Sequence, residues 1–450
     1  MKENRGLMTE GVIWKQLLLF ALPLLLGNLF QQFYNTVDSI VVGNYIGANA
    51  LASVGASTPI VNLMVGMFTG LGTGAGVVIA QFFGAKDHKG VHDGVHTTIA
   101  LCLVSGLVMA VVGVALSPII LRLLDTPAEI MEGSVTYLQI YFMGVMALMI
   151  YNMGSGILRA VGDSRTPLYF LMVSSVVNIL LDLLFVIKVQ MGVAGVAWAT
   201  LIAQAISACL VLIRLMTSTE SYKLILKDIR FHKKVLLETV RIGLPGGIQN
   251  AVISFSNLIV QYNINSFGAA AVAGCSAYTK IDGFAILPVM SFSMAITTFT
   301  GQNIGAKNYD RVRKGAKTCL VIALAVTLTL SGGLYLFGEK LLRVFSSDRQ
   351  GLSYAVQMMH FLVPGYVCLA VAHTYCGVRG AGISMVPMLA LVGNMCVLRV
   401  IWISLAMPVF HNIIVVFLGY SLTWLTSALT MVIYYHRSGW LERHQLQRVA

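Results

Sequence analysis

The sequence predicts an all-α integral membrane protein, with twelve transmembrane helices in two six-helix bundles related by a pseudo-two-fold axis along the membrane normal. Three observations carry the prediction. Apolar runs long enough to cross a bilayer recur almost to the last residues. Lysine and arginine crowd the connections on one side of those runs. The second half of the chain repeats landmarks of the first at a nearly constant offset.

Of 450 residues, 57% are hydrophobic and 11% charged, against about 25% charged in soluble domains. No polar stretch between the apolar runs is long enough for a soluble domain. The net charge of +12 sits at the ends of those runs, so it speaks for topology rather than for a nucleic-acid partner. The seven cysteines all fall in apolar runs without a C-x-x-C pair, and each reads as a small buried hydrophobe.

Taken in order, a short basic arm precedes a first span over 17–43. Its apolar run is too long for a signal peptide and lacks a small-residue cleavage site. Spans over 52–82, 93–118, 131–154, 165–187 and 192–214 complete an N-terminal bundle, residues 1–216. The longest polar stretch, 217–238, is a cytoplasmic linker. Spans over 240–266, 271–300, 314–337, 352–376, 385–407 and 412–435 form a C-terminal bundle within 239–450. Connections as short as 43–51 and 266–271 force their neighbours into antiparallel hairpins.

Twelve spans place both termini on one side. That side collects the arm, Lys86, Lys89, Arg159, Arg165, the run from Arg214 to Arg241, Lys307 to Lys317, Arg379 and the C-terminal arginines. The other side holds Arg122, Lys188, Lys340, Arg343 and Arg349. The asymmetry predicts a multi-pass protein of the cytoplasmic (inner) membrane with both termini in the cytoplasm.

Pro23 and Asn28 in LPLLLGN match Pro245 and Asn250 in LPGGIQN, at an offset of 222. Gly84-Ala85-Lys86 matches Gly305-Ala306-Lys307 at 221, and Arg159 to Gly162 with Pro167 match Arg379 to Gly382 with Pro387 at 220. A repeat of six spans keeps its direction in the membrane, a common carrier plan with the substrate path between the halves.

Ionisable groups inside a span are costly and therefore functional candidates. Three acids qualify: Asp38, Asp182 and Asp282. In span one, Asn28, Gln32, Asn35 and Ser39 are spaced four, three and four, so they share a helical face, flanked by Gln31 and Asp38. Such a stripe cannot face lipid. Asn178 and Asp182 form an i, i+4 pair in span five. Counting from span ends places Asp38, Tyr137, Asp182 and Thr200 at one depth, roughly 8–12 Å below the outer boundary at 1.5 Å per residue. Two carboxylates in one low-dielectric pocket resist simultaneous ionisation, which suits the cluster to hold a proton. The same oxygens suit a small hard cation.

The second half carries a matching ladder without carboxylates: Asn250, Ser254, Asn257, Gln261 and Asn265. It reads as lining for the substrate path, together with Tyr34 and the first ladder, or as a polar helix contact. Lys280 and Asp282 lie two apart and so point to different faces, and Arg399 stands in span eleven. Each of these three reads as a structural ion pair, with a charge facing the cavity as the sharper alternative. Methionines such as Met64, Met67, Met143, Met146, Met149 and Met153, with Phe30, Phe33, Phe255 and Tyr262, could wall a promiscuous cavity or simply pack helices.

There is no GxxxxGK[ST] loop, so ATP does not drive this chain, and no nucleophile or metal constellation marks an enzyme. His88, His92 and His96 recur every fourth residue, a spacing that could ligate metal, but His92 and His96 read as a solvated start to span three. No cofactor or metal is expected, and the chain is expected to act as a monomer in the lipid bilayer.

The two six-span halves, the stretch Tyr34-Asn35-Thr36-Val37-Asp38, the GAK loops and Asn178/Asp182 together resemble the multidrug and toxic compound extrusion (MATE) family over nearly the whole chain. The resemblance implies a V-shaped pair of bundles that exports amphipathic, often cationic small molecules by alternating access, in exchange for H+ or Na+. It also implies a first-half cation site at Asp38, Tyr137, Asn178, Asp182 and Thr200. Some branches place acids in spans seven and ten, which this chain lacks. A flippase for lipid-linked oligosaccharide or peptidoglycan precursors is the competing expectation, kept open by Lys280 and Arg399. A membrane-embedded enzyme and a channel fit the residues less well.

Overall fold

A computed structural model describes residues 7–41, 45–345 and 349–447, with side chains throughout except at Asn35, 37–41, Ala48, 344–345 and Gln447. Among these residues the chain is built of α-helices: α1 (Ile13–Val41), α2 (Ala48–Gly84), α3 (His88–Leu123), α4 (Ala128–Met143), α5 (Val145–Ala160), α6 (Arg165–Leu183), α7 (Val193–Met216), α8 (Lys233–Asn265), α9 (Ala269–Ala285), α10 (Leu287–Gly305), α11 (Tyr309–Phe345), α12 (Arg349–Tyr375), α13 (Met385–Val392), α14 (Arg399–Phe410), α15 (Ile414–Arg437) and α16 (Trp440–Gln447).

Within the described residues, every expected span lies along these helices, singly or as a consecutive pair. Span 131–154 is the pair α4 and α5, bent by 48° at Gly144, whose N–H is shared between the carbonyls of Ile140 and Tyr141. Span 271–300 is α9 with α10, and span 385–407 is α13 and α14 joined by a π-helical stretch, Gly393–Leu398. Ten helices among the described residues are long and apolar enough to cross a membrane, eleven when the bent pair counts as one. The remaining expected span, 240–266, is the helix α8. Its ladder of amides and hydroxyls keeps its hydropathy below that of the others. Several helices also outrun their apolar cores: α2 has 37 residues and α3 has 36. Helical hydrogen bonding continues through polar turns until a residue of positive φ ends it.

Those terminating residues make the repeat visible in the backbone. Lys86 and Lys307 both adopt a left-handed conformation, with φ of 57° and 60°. Gly162 and Gly382 do the same at 86° and 85°. A left-handed lysine costs about 1–2 kcal/mol, so its occurrence in both GAK loops marks one turn geometry used twice.

The chain divides into two compact units. One unit takes Leu26–Gly247, and the other takes Leu7–Leu25 with the chain from Ile248 onward. The chain changes units inside α1 and again inside α8, each time two residues past a proline, Pro23 and Pro245.

In the first unit, α2 and α3 pack along α4 and α5, and α7 lies against α4, α5 and α6. Its largest cluster gathers Met64, Phe68, Leu138, Phe142, Met149 and Met153. The opening turns of α8 cross α2 with no side chain between the backbones. A Cβ on Gly70 would lie 2.2 Å from Gly247 N, and one on Gly74 would lie 2.4 Å from Thr239 O. Both helices present glycines four apart, Gly70/Gly74 and Gly243/Gly247, the small-residue seam by which helices approach closely in membranes. In the second unit, α12 is the central helix, flanked by α9, α11 and α15. The first half of α1 packs Leu17, Phe20, Ala21 and Leu24 against Phe292, Ala295, Ile296 and Phe299 of α10. Leu107, Val111, Leu336 and Val409 are among many large apolar side chains left exposed on the units, as a lipid-facing surface requires.

Candidate functional site

In the first unit, α6 brings Asn178 and Asp182 to its packed face, each 1% exposed. The apolar residues between them turn away, so the i, i+4 spacing meets α7. With the Asn178 amide turned to satisfy both its ends, it donates to Asp182 Oδ2 at 2.9 Å and its oxygen accepts from the Thr200 backbone N–H at 3.2 Å. Thr200 is itself buried. Tyr137 on α4 is buried among Ala50, Val186, Val196 and Ala197, so it reaches α7 one turn before Thr200, and its ring stacks on Tyr141 at 6.4 Å. Asn178, Asp182 and Thr200 therefore form one connected cluster, with Tyr137 on the neighbouring turn. The Asp38 and Asn35 side chains lie outside the described residues, and the carboxylate pairing expected of Asp38 lies there with them.

Directly after Asp182 the helix widens into a π-helical stretch, Leu184–Lys188. The second such stretch, Gly393–Leu398, directly precedes Arg399. Widened turns of this kind concentrate at functional sites. No composition signal announced them.

Asn28 and Gln32 of the first ladder, and Tyr34 beside it, are half-buried on α1, while the Ser39 side chain lies outside the described residues. On α8, Ser254 Oγ donates to the Asn250 carbonyl at 2.9 Å, and Gln261 donates to Asn265 Oδ1 at 2.8 Å. Asn250 is half-buried there, while Asn257 and Gln261 are exposed within their unit.

The second unit holds a polar cluster that the sequence indicated only in part. The Tyr366 hydroxyl donates to Asp282, and the Tyr278 and Tyr366 hydroxyls share a hydrogen bond of 2.8 Å. Tyr366 stacks on Trp424 at 5.6 Å, and Trp424 meets Tyr420 edge-on at 5.8 Å. Arg399, 3% exposed, lies over the Tyr420 ring at 4.3 Å. Its guanidinium donates to Asn257 Oδ1 at 3.4 Å and Thr423 Oγ1 at 3.3 Å, while Nε has no hydrogen-bond partner among the described residues. Among the described residues neither Asp282 nor Arg399 forms an ion pair. Their bonded partners are neutral, a tyrosine for one and an amide, a hydroxyl and a ring face for the other. Lys280 is exposed while Asp282 is half-buried, in keeping with their different faces. Tyr366, Tyr420 and Trp424 were not singled out in the sequence; the i, i+4 spacing of Tyr278 and Asp282 was the available signal.

Two smaller expectations, for His96 and Cys209, are corrected. His96 is not solvated: it is fully buried, with Nδ1 2.7 Å from the His92 carbonyl and Nε2 accepting from Ile225 N–H at 3.0 Å. Met64, Met149 and Met153 belong to the apolar core. Cys209 is exposed.

Known proteins resemble this chain along its whole length. The family model described as MatE matches residues 23–184 and 245–405, two segments set apart by the same offset as the repeat. A probable multidrug resistance protein, YpnP of Bacillus subtilis (strain 168), is 30% identical over 387 residues, covering 85% of this chain and 86% of the relative. The multidrug export protein MepA of Staphylococcus haemolyticus (strain JCSC1435) is 22% identical, covering 92% of this chain and 94% of the relative. Among solved structures, an outward-facing multidrug resistance MATE family transporter of the MOP superfamily superposes with a TM-score of 0.92 at 21% identity, covering 99% of this chain and all of that one.

Proposed function

This chain belongs to the MatE family, and on that premise we propose that it is a secondary active efflux antiporter that exports amphipathic, often cationic small molecules in exchange for H+ or Na+. It is a transporter rather than an enzyme. In this reading twelve helices cross the inner membrane in two halves, with both termini in the cytoplasm. The asymmetry of lysine and arginine supports that orientation, and the backbone repeat supports the two halves.

The observation that carries the reading is the buried polar cluster in which Asn178 links the Asp182 carboxylate to the Thr200 backbone. A carboxylate so enclosed binds a proton or a small cation at little reorganisation cost. Asp38, flanking the ladder on α1, supplies the second carboxylate, and Tyr137 a hydroxyl. Cation binding from outside stabilises the substrate-releasing state, and release inside resets the carrier. The cation drives export by its difference in affinity between the two states. Asn28, Gln32, Tyr34, Asn35 and the α8 ladder line the substrate path, with Lys280, Asp282 and Arg399 setting its charge.

Purified protein in liposomes tests this directly, with dye efflux driven separately by a proton gradient and by a sodium gradient. One gradient is expected to drive efflux, and Asp38→Asn and Asp182→Asn each to stop it while the protein still inserts. Full efflux in both variants removes the first-half carboxylates from the mechanism. Arg399, buried without a carboxylate partner among the described residues, favours a second reading: a flippase for an anionic lipid-linked precursor. Transport of such a headgroup without any cation gradient would establish that reading instead.

A further inference from the structure

We infer that the start of α3 and the connection leading into α8 together form a binding site for a divalent transition metal of the zinc class, with His92, His96 and Asp228 as ligands. His92 and His96 lie four apart on one face of α3, their ring centroids 3.9 Å from each other. Asp228 closes a short 3-10 turn, Leu226–Asp228, and its Oδ2 lies 3.4 Å from His92 Nε2. One donor atom from each of the three residues lies within 4.8 Å of the other two. Bond lengths of about 2.0–2.2 Å around a tetrahedral ion put neighbouring donors about 3.4 Å apart. The donors, all within 4.8 Å of one another, therefore stand no more than about 1.4 Å beyond that separation.

The surrounding atoms orient the rings for this purpose. Histidines that bind metal through one nitrogen anchor the other on a carbonyl or carboxylate. His96 Nδ1 lies 2.7 Å from the His92 carbonyl oxygen, and His92 Nδ1 lies 3.6 Å from Asp93 Oδ1. Asp93 is itself fixed by His232 Nδ1 at 3.0 Å, and His232 Nε2 accepts from Arg230 Nε at 2.8 Å. His96 Nε2 now accepts the Ile225 N–H. An ion would take over that nitrogen, and Asp228 would then hold the connection through the metal. Two imidazoles and one carboxylate select Zn2+, Co2+ or Ni2+ over Mg2+ and Ca2+, which want oxygen alone. The inference does not depend on what the protein transports.

The test uses full-length protein purified in detergent, stripped with EDTA and titrated with Co2+ as a spectroscopic probe, then with Zn2+ against a chromogenic chelator. One ion per chain is expected, with the visible d–d absorption of four-coordinate cobalt. His92→Ala and Asp228→Asn should each weaken binding at least about tenfold. His88→Ala, at an exposed histidine one turn earlier, should leave it unchanged. Asp228 is half-exposed in the connection, so its substitution keeps the fold even where loss of a histidine does not. A chain that binds no cobalt, or binds it equally well with Asp228→Asn, overturns the inference and leaves the cluster as a hydrogen-bonded dock for the connection.

Discussion

Asp182 and Arg399 show how far single residues were legible. Both stood out in the sequence because charge inside an apolar run is expensive, and both prove buried. Their partners were legible only where helical spacing links them, as for Asn178 with Asp182. Thr200 follows from depth counting, but Tyr366, Tyr420 and Trp424 come from helices distant in sequence that no periodicity connects. Removing the Asn178 amide should expose the cost of its bond: Asn178→Ala should lower stability by about 1–3 kcal/mol and weaken efflux, read by thermal melting and dye transport. Arg399 makes neutral contacts, so Arg399→Met should hold or raise the melting temperature, as replacement of buried charge commonly does. The same variant should change the relative efflux of cationic and zwitterionic dyes if the charge faces the path. Lys307 is a left-handed residue at the end of α10. Glycine there relieves about 1 kcal/mol, whereas valine adds strain, a pair of opposite shifts measurable by melting.

At the scale of elements, helix identity was read well and helix ends poorly. Hydropathy reports the apolar stretch alone, while the helix runs on until a residue such as Lys86 or Gly162 turns left-handed. The π-helical stretches beside Asp182 and Arg399 leave no compositional trace, since one extra residue per turn asks for no particular side chain. The α2–α8 seam was likewise hidden, because glycine is abundant throughout the chain and only contact geometry tells Gly70 from Gly332. That difference gives a paired test. Gly74→Leu should cost at least about 1–3 kcal/mol or prevent folding, because its Cβ falls on the backbone of α8. Gly332→Ala has open space around it and should gain up to about 1 kcal/mol. Yield and thermal melting in detergent separate the two outcomes.

For the whole molecule, the repeat was plain in the sequence, but the borders of the compact units were not. The polar stretch 217–238 looks like a boundary by composition, yet the turns on either side of it, up to Gly247, pack within the first unit. Val235 and Ile242 fill its core beside Val77 and Val78. A chain severed at residue 220 and expressed as two pieces should therefore yield stable protein only when both pieces are made together. A tag on one piece should then recover the other, and either piece alone should be lost to degradation. Leu25 and Gly247, where the chain changes units, stand 222 residues apart, the register of the repeat itself. Each unit therefore owns one half of α1 and the opposite half of α8, so a substitution near Pro23 or Pro245 acts on the same register in both repeats.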